Sequence, residues 1–131
     1  MAGAKEKINI LAISGSLRTG SSNEAVINAA VQMTGPDVYF HTYDALGTLP
    51  HFDDNKTPAQ SVLDFRHLLQ EADALLICSP EYAFGVPGSL KNAIDWTVSS
   101  GEFVHKPTAL IRPLQAAIKH MHRYCLHLKP C

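Results

Sequence analysis

The sequence predicts an α/β fold, an open and mostly parallel sheet with helices on its faces. Three observations lead there. Short apolar runs alternate with stretches of helical periodicity, the pattern of βαβ units. Two of those runs, residues 8–13 and Ala74–Cys78, are almost continuously apolar, as strands covered by helices on both faces must be. The length of 131 residues allows one compact domain, 1–131.

Residues 8–13 form the first strand, which ends at Ser14-Gly15-Ser16. From Asn23 the period changes: Val26, Ala29, Ala30 and Met33 outline the apolar face of a helix that Gly35-Pro36 ends. Val38–Tyr43 has mixed polarity and suits a strand at the sheet edge. Residues 44–59 carry Gly47, Pro50, Asp53-Asp54-Asn55 and Pro58, and read as loop. Val62, Phe65, Arg66 and Leu69 outline a second helix with Arg66 at its rim. Ala74–Cys78 is the third strand, and residues 79–88 a loop braced by Pro80, Gly85, Pro87 and Gly88. Leu90, Ala93 and Ile94 begin a third helix that frays at Ser99-Ser100-Gly101. Thr108–Ile111 is a short fourth strand. Beyond Pro113, Leu114, Ala117, Ile118, Met121, Cys125 and Leu128 sit at helical spacing.

Composition narrows the class. Hydrophobic residues make up 46 % and charged residues 18 % of the chain, values of a globular protein. Eight Gly and eight Pro exclude a collagen-like or low-complexity chain. No apolar run approaches the roughly 18 residues of a membrane-spanning helix, and residues 8–13 are too short for a signal peptide. Cys78, Cys125 and Cys131 are too few for a disulfide scaffold, so a reducing cytoplasm is the expected setting. The formal net charge of −1 conceals an asymmetry. Residues 1–104 hold six Lys/Arg and all twelve Asp/Glu, a net −6; residues 105–131 hold five Lys/Arg and no acid, a net +5.

The chemistry begins in Ser14-Gly15-Ser16-Leu17-Arg18-Thr19-Gly20-Ser21-Ser22-Asn23, between the first strand and the first helix. In an open parallel sheet, ligands bind beyond the carboxyl ends of the strands, where strand order reverses. A Gly/Ser loop at that place offers backbone N–H groups, hydroxyls and a helix N-terminus, which together suit a phosphate. Arg18 adds a fixed cation. Gly15 and Gly20 have the Walker A spacing, but Ser21-Ser22 replaces the Lys-Ser/Thr that nucleoside triphosphate hydrolysis needs. The G-x-G-x-x-G dinucleotide pattern is absent. Ser21-x-x-Glu24 also fits a capping box, which needs no ligand. Both readings of the loop stand at this point.

The second loop, residues 79–88, should lie beside the first across the switch point. Its two aromatics, Tyr82 and Phe84, on a Pro/Gly-braced segment make a flat wall for a planar ring. Gly-Ser-Leu-Arg-x-Gly-Ser-x-Asn after strand one and Pro-Glu-Tyr-x-x-x-Val-Pro-Gly-x-Leu-Lys-Asn-Ala-Ile-Asp-Trp after strand three resemble the NADPH-dependent FMN reductase family, which includes flavodoxin-like quinone, azo-dye and chromate reductases. Leu49-Pro50-His51-Phe52-Asp53 and Lys106-Pro107 also resemble that family, and the likeness covers residues 8–111.

The resemblance implies a flavodoxin-like doubly wound sheet of strand order 2-1-3-4, with the fifth strand missing. It implies FMN as cofactor, with Ser14, Ser16, Arg18, Ser22 and Asn23 at its phosphate. Pro80, Glu81, Tyr82, Ala83, Phe84 and Gly85 would border the isoalloxazine. Family members often have Asn at the position of Ala83. Lys91, Asn92, Asp95 and Trp96 are expected to brace the third helix and an oligomer face. NADPH or NADH would supply the electrons, and quinones or similar small molecules would accept them. Nicotinamide passes hydride directly to flavin when the rings stack, so no catalytic side chain is expected. The alternatives are an FMN-binding electron carrier and a shortened, inactive relative. A homodimer or homotetramer is expected, without nucleic acid.

Residues 112–131 depart from the family pattern, which continues with a Ser/Gly-rich third flavin loop, a fifth strand and a closing helix. His120, His122, Cys125, His127 and Cys131 are metal-ligand types, but their spacing fits no standard zinc site, and no metal is expected. A basic amphipathic helix also suits a membrane surface or nucleic acid. The simplest reading is a helix covering part of the sheet.

Overall fold

The computed structural model describes residues 7–113. In chain order it contains β1 (Ile8–Ser14), α1 (Ser22–Met33), β2 (Val38–Tyr43), α2 (Gln60–Glu71), β3 (Ala74–Cys78), α3 (Gly88–Asp95) and β4 (Thr108–Ile111). All neighbouring strands are parallel, in the order β2-β1-β3-β4 that the resemblance implies. The chain steps from β1 outward to β2, then crosses back to place β3 on the other flank of β1. Strand order therefore reverses between β1 and β3. Register puts Ser14 beside Cys78, and Cys78 beside Ile111, so three loops leave the same edge next to one another.

Alternation along the strands sends successive side chains to opposite faces, and each face has its own core. Leu11, Ile13, Leu75 and Ile77 pack with Val62, Phe65 and Leu69 of α2, Leu90 and Ala93 of α3, and Trp96. Ala12, Leu76 and Cys78 pack with Val26 and Ile27 of α1. Tyr43, at the end of β2, lies against Phe65 with ring centroids 4.8 Å apart. β3 is buried along most of its length, as its sequence predicts. β1 is buried at Leu11, Ala12 and Ile13, whereas Ile8 and Asn9 are exposed.

Three expectations need adjusting. The buried face of α1 is Asn23, Val26 and Ile27, whereas Met33 is exposed in the last turn. Ile27 has far more apolar area to remove from water than Ala29, so it sets the rotation of the helix. A 3-10 turn at Leu46–Thr48 interrupts the long loop and buries Leu46. Gly47 has its place there because an added Cβ would come within 3.3 Å of the Leu17 side chain. Finally, Arg66 is more than a rim residue: half-buried, it donates through Nε and Nη2 to the Trp96 carbonyl.

β4 is exposed along its length and forms one edge of the described sheet. Ile10, Phe40, Leu76, Pro107 and Ala109 line an apolar groove beside α1. The expected C-terminal helix, the absent fifth strand and the His/Cys cluster concern residues 114–131, which lie outside the described residues. No helix among the described residues is long and apolar enough to cross a membrane.

Candidate functional site

Gly15 and Ser79 are where the first two loops meet. The Gly15 N–H donates to the Cys78 carbonyl (2.7 Å), and the Ser79 N–H donates to that of Ile111 (2.9 Å). A Cβ on Gly15 would lie 2.6 Å from Ser79 Oγ and 3.1 Å from its Cα. The close approach of the two loops therefore requires glycine, a requirement that sequence spacing alone did not reveal.

Short polar contacts wind the first loop. Ser14 Oγ donates to the Ser16 carbonyl (3.1 Å) and accepts from the Ser16 N–H (3.3 Å). Ser16 Oγ accepts from the Arg18 N–H (3.2 Å), an arrangement that leaves its own proton for another acceptor. Gly20 takes a left-handed φ of 67°. Ser21 caps α1 by accepting from the Glu24 N–H (3.3 Å), and the Glu24 carboxylate accepts from the Gly20 N–H (2.7 Å). The expected capping box thus exists, with its return bond one residue earlier than the motif predicts. Helix capping and anion binding are compatible here, because the cap uses Ser21 and leaves the others.

Ser14, Ser16, Arg18, Ser22 and Asn23 all fall on this loop and the first turn of α1. Arg18 is exposed, and among the described residues its side chain pairs with no carboxylate. Asn23 is buried, and its Oδ1 has no hydrogen-bond partner. A buried carbonyl oxygen left unmatched costs free energy that only a hydrogen-bond donor can recover, so Oδ1 does not suit a phosphate oxygen, and Asn23 could serve one only through Nδ2. The Ser16 and Ser22 hydroxyls, the α1 N-terminus and the Arg18 guanidinium form a donor set suited to a phosphate monoester, while the Ser14 proton is engaged by the Ser16 carbonyl.

The second loop closes on itself. The Tyr82 N–H donates to the Gly85 carbonyl and the Gly85 N–H to that of Tyr82, both at 2.9 Å. The two central residues, Ala83 and Phe84, have φ of 49° and 62°. Positive φ at both positions is the type I′ pattern, which favours Asn-Gly. Ala and Phe are strained there, because Cβ crowds the carbonyl in the left-handed region. Phe84 is 100 % exposed and Tyr82 57 %. Pro80 leads into this turn and accepts at its carbonyl from Ser79 Oγ (3.0 Å). The Glu81 carboxylate pairs with Arg112, which follows β4 directly.

Behind the second loop, α3 carries a bracket. Asn92 Nδ2 and Trp96 Nε1 both donate to the Pro50 carbonyl, at 2.9 and 2.8 Å. Asn92 Oδ1 accepts from the Phe52 N–H (2.7 Å), and Phe52 meets Trp96 edge-on with centroids 5.0 Å apart. Lys91 and Asp95 pair along the exposed side of α3 at 2.5 Å. Asn92 and Trp96 tie α3 to residues 50–52, whereas Lys91 and Asp95 contact each other within α3.

Burial pushes the Cys78 thiol up to about 11, so it is not a thiolate at neutral pH. Among the described residues no group of three His, Cys, Asp or Glu could hold a metal ion. Sequence reasoning missed Arg112 and the Gly15–Ser79 contact. The first becomes visible once Cys78 is set opposite Ile111 and the second once Ser14 is set opposite Cys78, registers that a single sequence does not specify.

An open parallel sheet with a Gly/Ser loop and a Pro-braced aromatic loop at its switch point defines a flavodoxin-like protein. The chain belongs to the NADPH-dependent FMN reductase family, whose model matches residues 8–131. It is similar to an NAD(P)H-dependent FMN reductase of Pseudomonas aeruginosa, 37 % identical over 111 residues, which cover 81 % of this chain and 60 % of that protein. It is also 37 % identical over 99 residues to an NAD(P)H:quinone oxidoreductase of Solanum tuberosum, covering 71 % of this chain and 51 % of the relative. Among solved structures, a flavoenzyme NAD(P)H:(acceptor) oxidoreductase from Paracoccus denitrificans aligns with a TM-score of 0.73 and 30 % identity, over 92 % of this chain and 71 % of that one. The chain thus spans 60 % or less of the length of the two curated relatives.

Proposed function

We propose that the chain forms one flavodoxin-like domain that binds FMN and passes electrons from NADPH or NADH to quinones or similar small acceptors. The observation that carries this reading is the junction of the two loops at the β1/β3 switch point, where Gly15 lies against Ser79. On the first loop, the Arg18 side chain, which pairs with no carboxylate among the described residues, fits a phosphate. Ser14, Ser16, Arg18, Ser22 and Asn23 would hold that phosphate. Pro80, Glu81, Tyr82, Ala83, Phe84 and Gly85 would border the ring. FMN supplies hydride acceptance and donation when bound. The residues position and shield the ring, and none transfers a proton.

Family membership and the names of the relatives support the acceptor class. The same reading places the protein in the cytoplasm as a homodimer or homotetramer. Val98 and Val104, both exposed beyond α3, offer apolar surface for such contact.

The test is an FMN titration of the purified chain, followed by NADPH without oxygen. Retained flavin that bleaches supports the reductase, and retained flavin that does not bleach points to a carrier. Failure to retain FMN rejects both. Arg18→Ala should weaken FMN about tenfold or more while changing riboflavin little, because a charge-assisted phosphate contact contributes roughly 1.5–3 kcal/mol. Equal losses for the two ligands would reject this placement of the phosphate.

A further inference from the structure

The Glu81–Arg112 pair joins two neighbouring loops at the ligand edge of the sheet. Ser79 N–H donates to the Ile111 carbonyl, so the chain after β4 already runs beside the start of the second loop. Arg112 is the next residue, and its Nη1 meets Glu81 Oε2. Glu81 in turn directly precedes the turn formed by Tyr82, Ala83, Phe84 and Gly85. That turn holds two non-glycine residues at positive φ and presents a phenyl ring that nothing in the described chain covers. Strain of this kind persists only where surrounding contacts over-determine it. Those contacts are the paired Tyr82 and Gly85 amides, buried Pro87 on one side, and Arg112 acting through Glu81 on the other.

We infer that Arg112 is a positioning residue: through Glu81 it clasps the second loop to the end of β4 and so holds Phe84 out as a wall for the planar ligand. The role of Phe84 rests on the flavin reading above, whereas the clasp does not. Both partners are partly exposed, at 56 % for the Arg112 side chain and 37 % for Glu81. An exposed pair adds little to global stability. Its influence is local, on a turn that has no side-chain packing of its own at Phe84. Arg112 contacts the second loop directly from the end of β4.

Amide hydrogen exchange on the flavin-free chain tests the clasp. Arg112→Ala and Glu81→Gln should each speed exchange at the Tyr82 and Gly85 amides by about two- to fivefold, the range an exposed ion pair supports. The double variant should match the single ones, and Arg112→Lys should restore part of the protection. Strand amides in β1 and β3 should not change. Unchanged exchange at Tyr82 and Gly85, or additive effects of the two substitutions, would overturn the clasp. FMN affinity, measured on the same variants, should fall by a similar factor. If exchange responds but the unmodified chain takes no FMN, the flavin reading fails and the clasp stands.

Discussion

At Phe84 and Gly15, two single residues show opposite uses of backbone space. Phe84 occupies a conformation that suits glycine, and its side chain lies wholly in solvent. Phe84→Gly should therefore stabilise the chain by about 0.5–1 kcal/mol, after the entropy cost of glycine in the unfolded state is deducted. The same variant should bind a planar ligand more weakly. A rise in Tm with unchanged ligand affinity would deny Phe84 its role as a wall. Gly15 is the converse case, because a Cβ there collides with Ser79 backbone and side chain. Gly15→Ala should cost about 1–3 kcal/mol, as overpacking does, and a urea unfolding curve reads it directly. Neither effect was legible in the sequence. An Ala-Phe pair gives no turn signal of its own, and the need for glycine at 15 arises from a neighbour 64 positions away.

Among the elements, what the sequence shows best is what periodicity controls. β1, β2, β3 and β4 fall on the apolar runs, and the edge position of β2 follows from its mixed polarity. The rotation of α1 is not legible in its spacing, because Val26, Ile27, Ala29 and Ala30 spread around almost half the helix, and packing against Ala12, Leu76 and Cys78 selects Val26 and Ile27. Links between elements were the least visible. Lys106 donates to the Ala72 carbonyl at the C-terminus of α2, a suitable place for a cation. Arg66 similarly ties α2 to the end of α3 by two donations to the Trp96 carbonyl. Arg66→Ala should destabilise the chain by about 1–2 kcal/mol, since it leaves a buried residue's carbonyl unmatched. Arg66→Lys should recover only part, because one ammonium does not reproduce the guanidinium fork. Full recovery in thermal melts would show that charge alone matters there.

Across the whole molecule, the two cores share β1 and β3, and one buried ring marks how they respond to pH. Desolvation, then Asp44 and Asp64, push Tyr43 up to about 12 from 10.0. The unfolded chain thus loses this proton first as pH rises. The contribution is fully present below about pH 10 and is lost between about 10 and 12. Stability from urea midpoints should fall across that window by up to about 2–3 kcal/mol on account of Tyr43. Tyr43→Phe should flatten the fall there, and an unchanged slope would show that other groups govern it. Cys78, raised from 9.0 to about 11, begins to act slightly lower on the same scale.

The parallel sheet also orders events in time. β1 pairs with β2, its near neighbour in sequence, whereas Asn9 and Asp73 meet across 64 residues. Such long-range parallel pairing is slow, since the loop must close before its contacts form. The crevice between β1 and β3 cannot form during synthesis until β3 has been made. Before Ser79 reaches Gly15 the crevice has only one of its two walls, and a nascent chain carrying only the first loop has half of it. Any ligand of that crevice can stabilise the finished sheet by mass action, but it cannot guide the steps that build it.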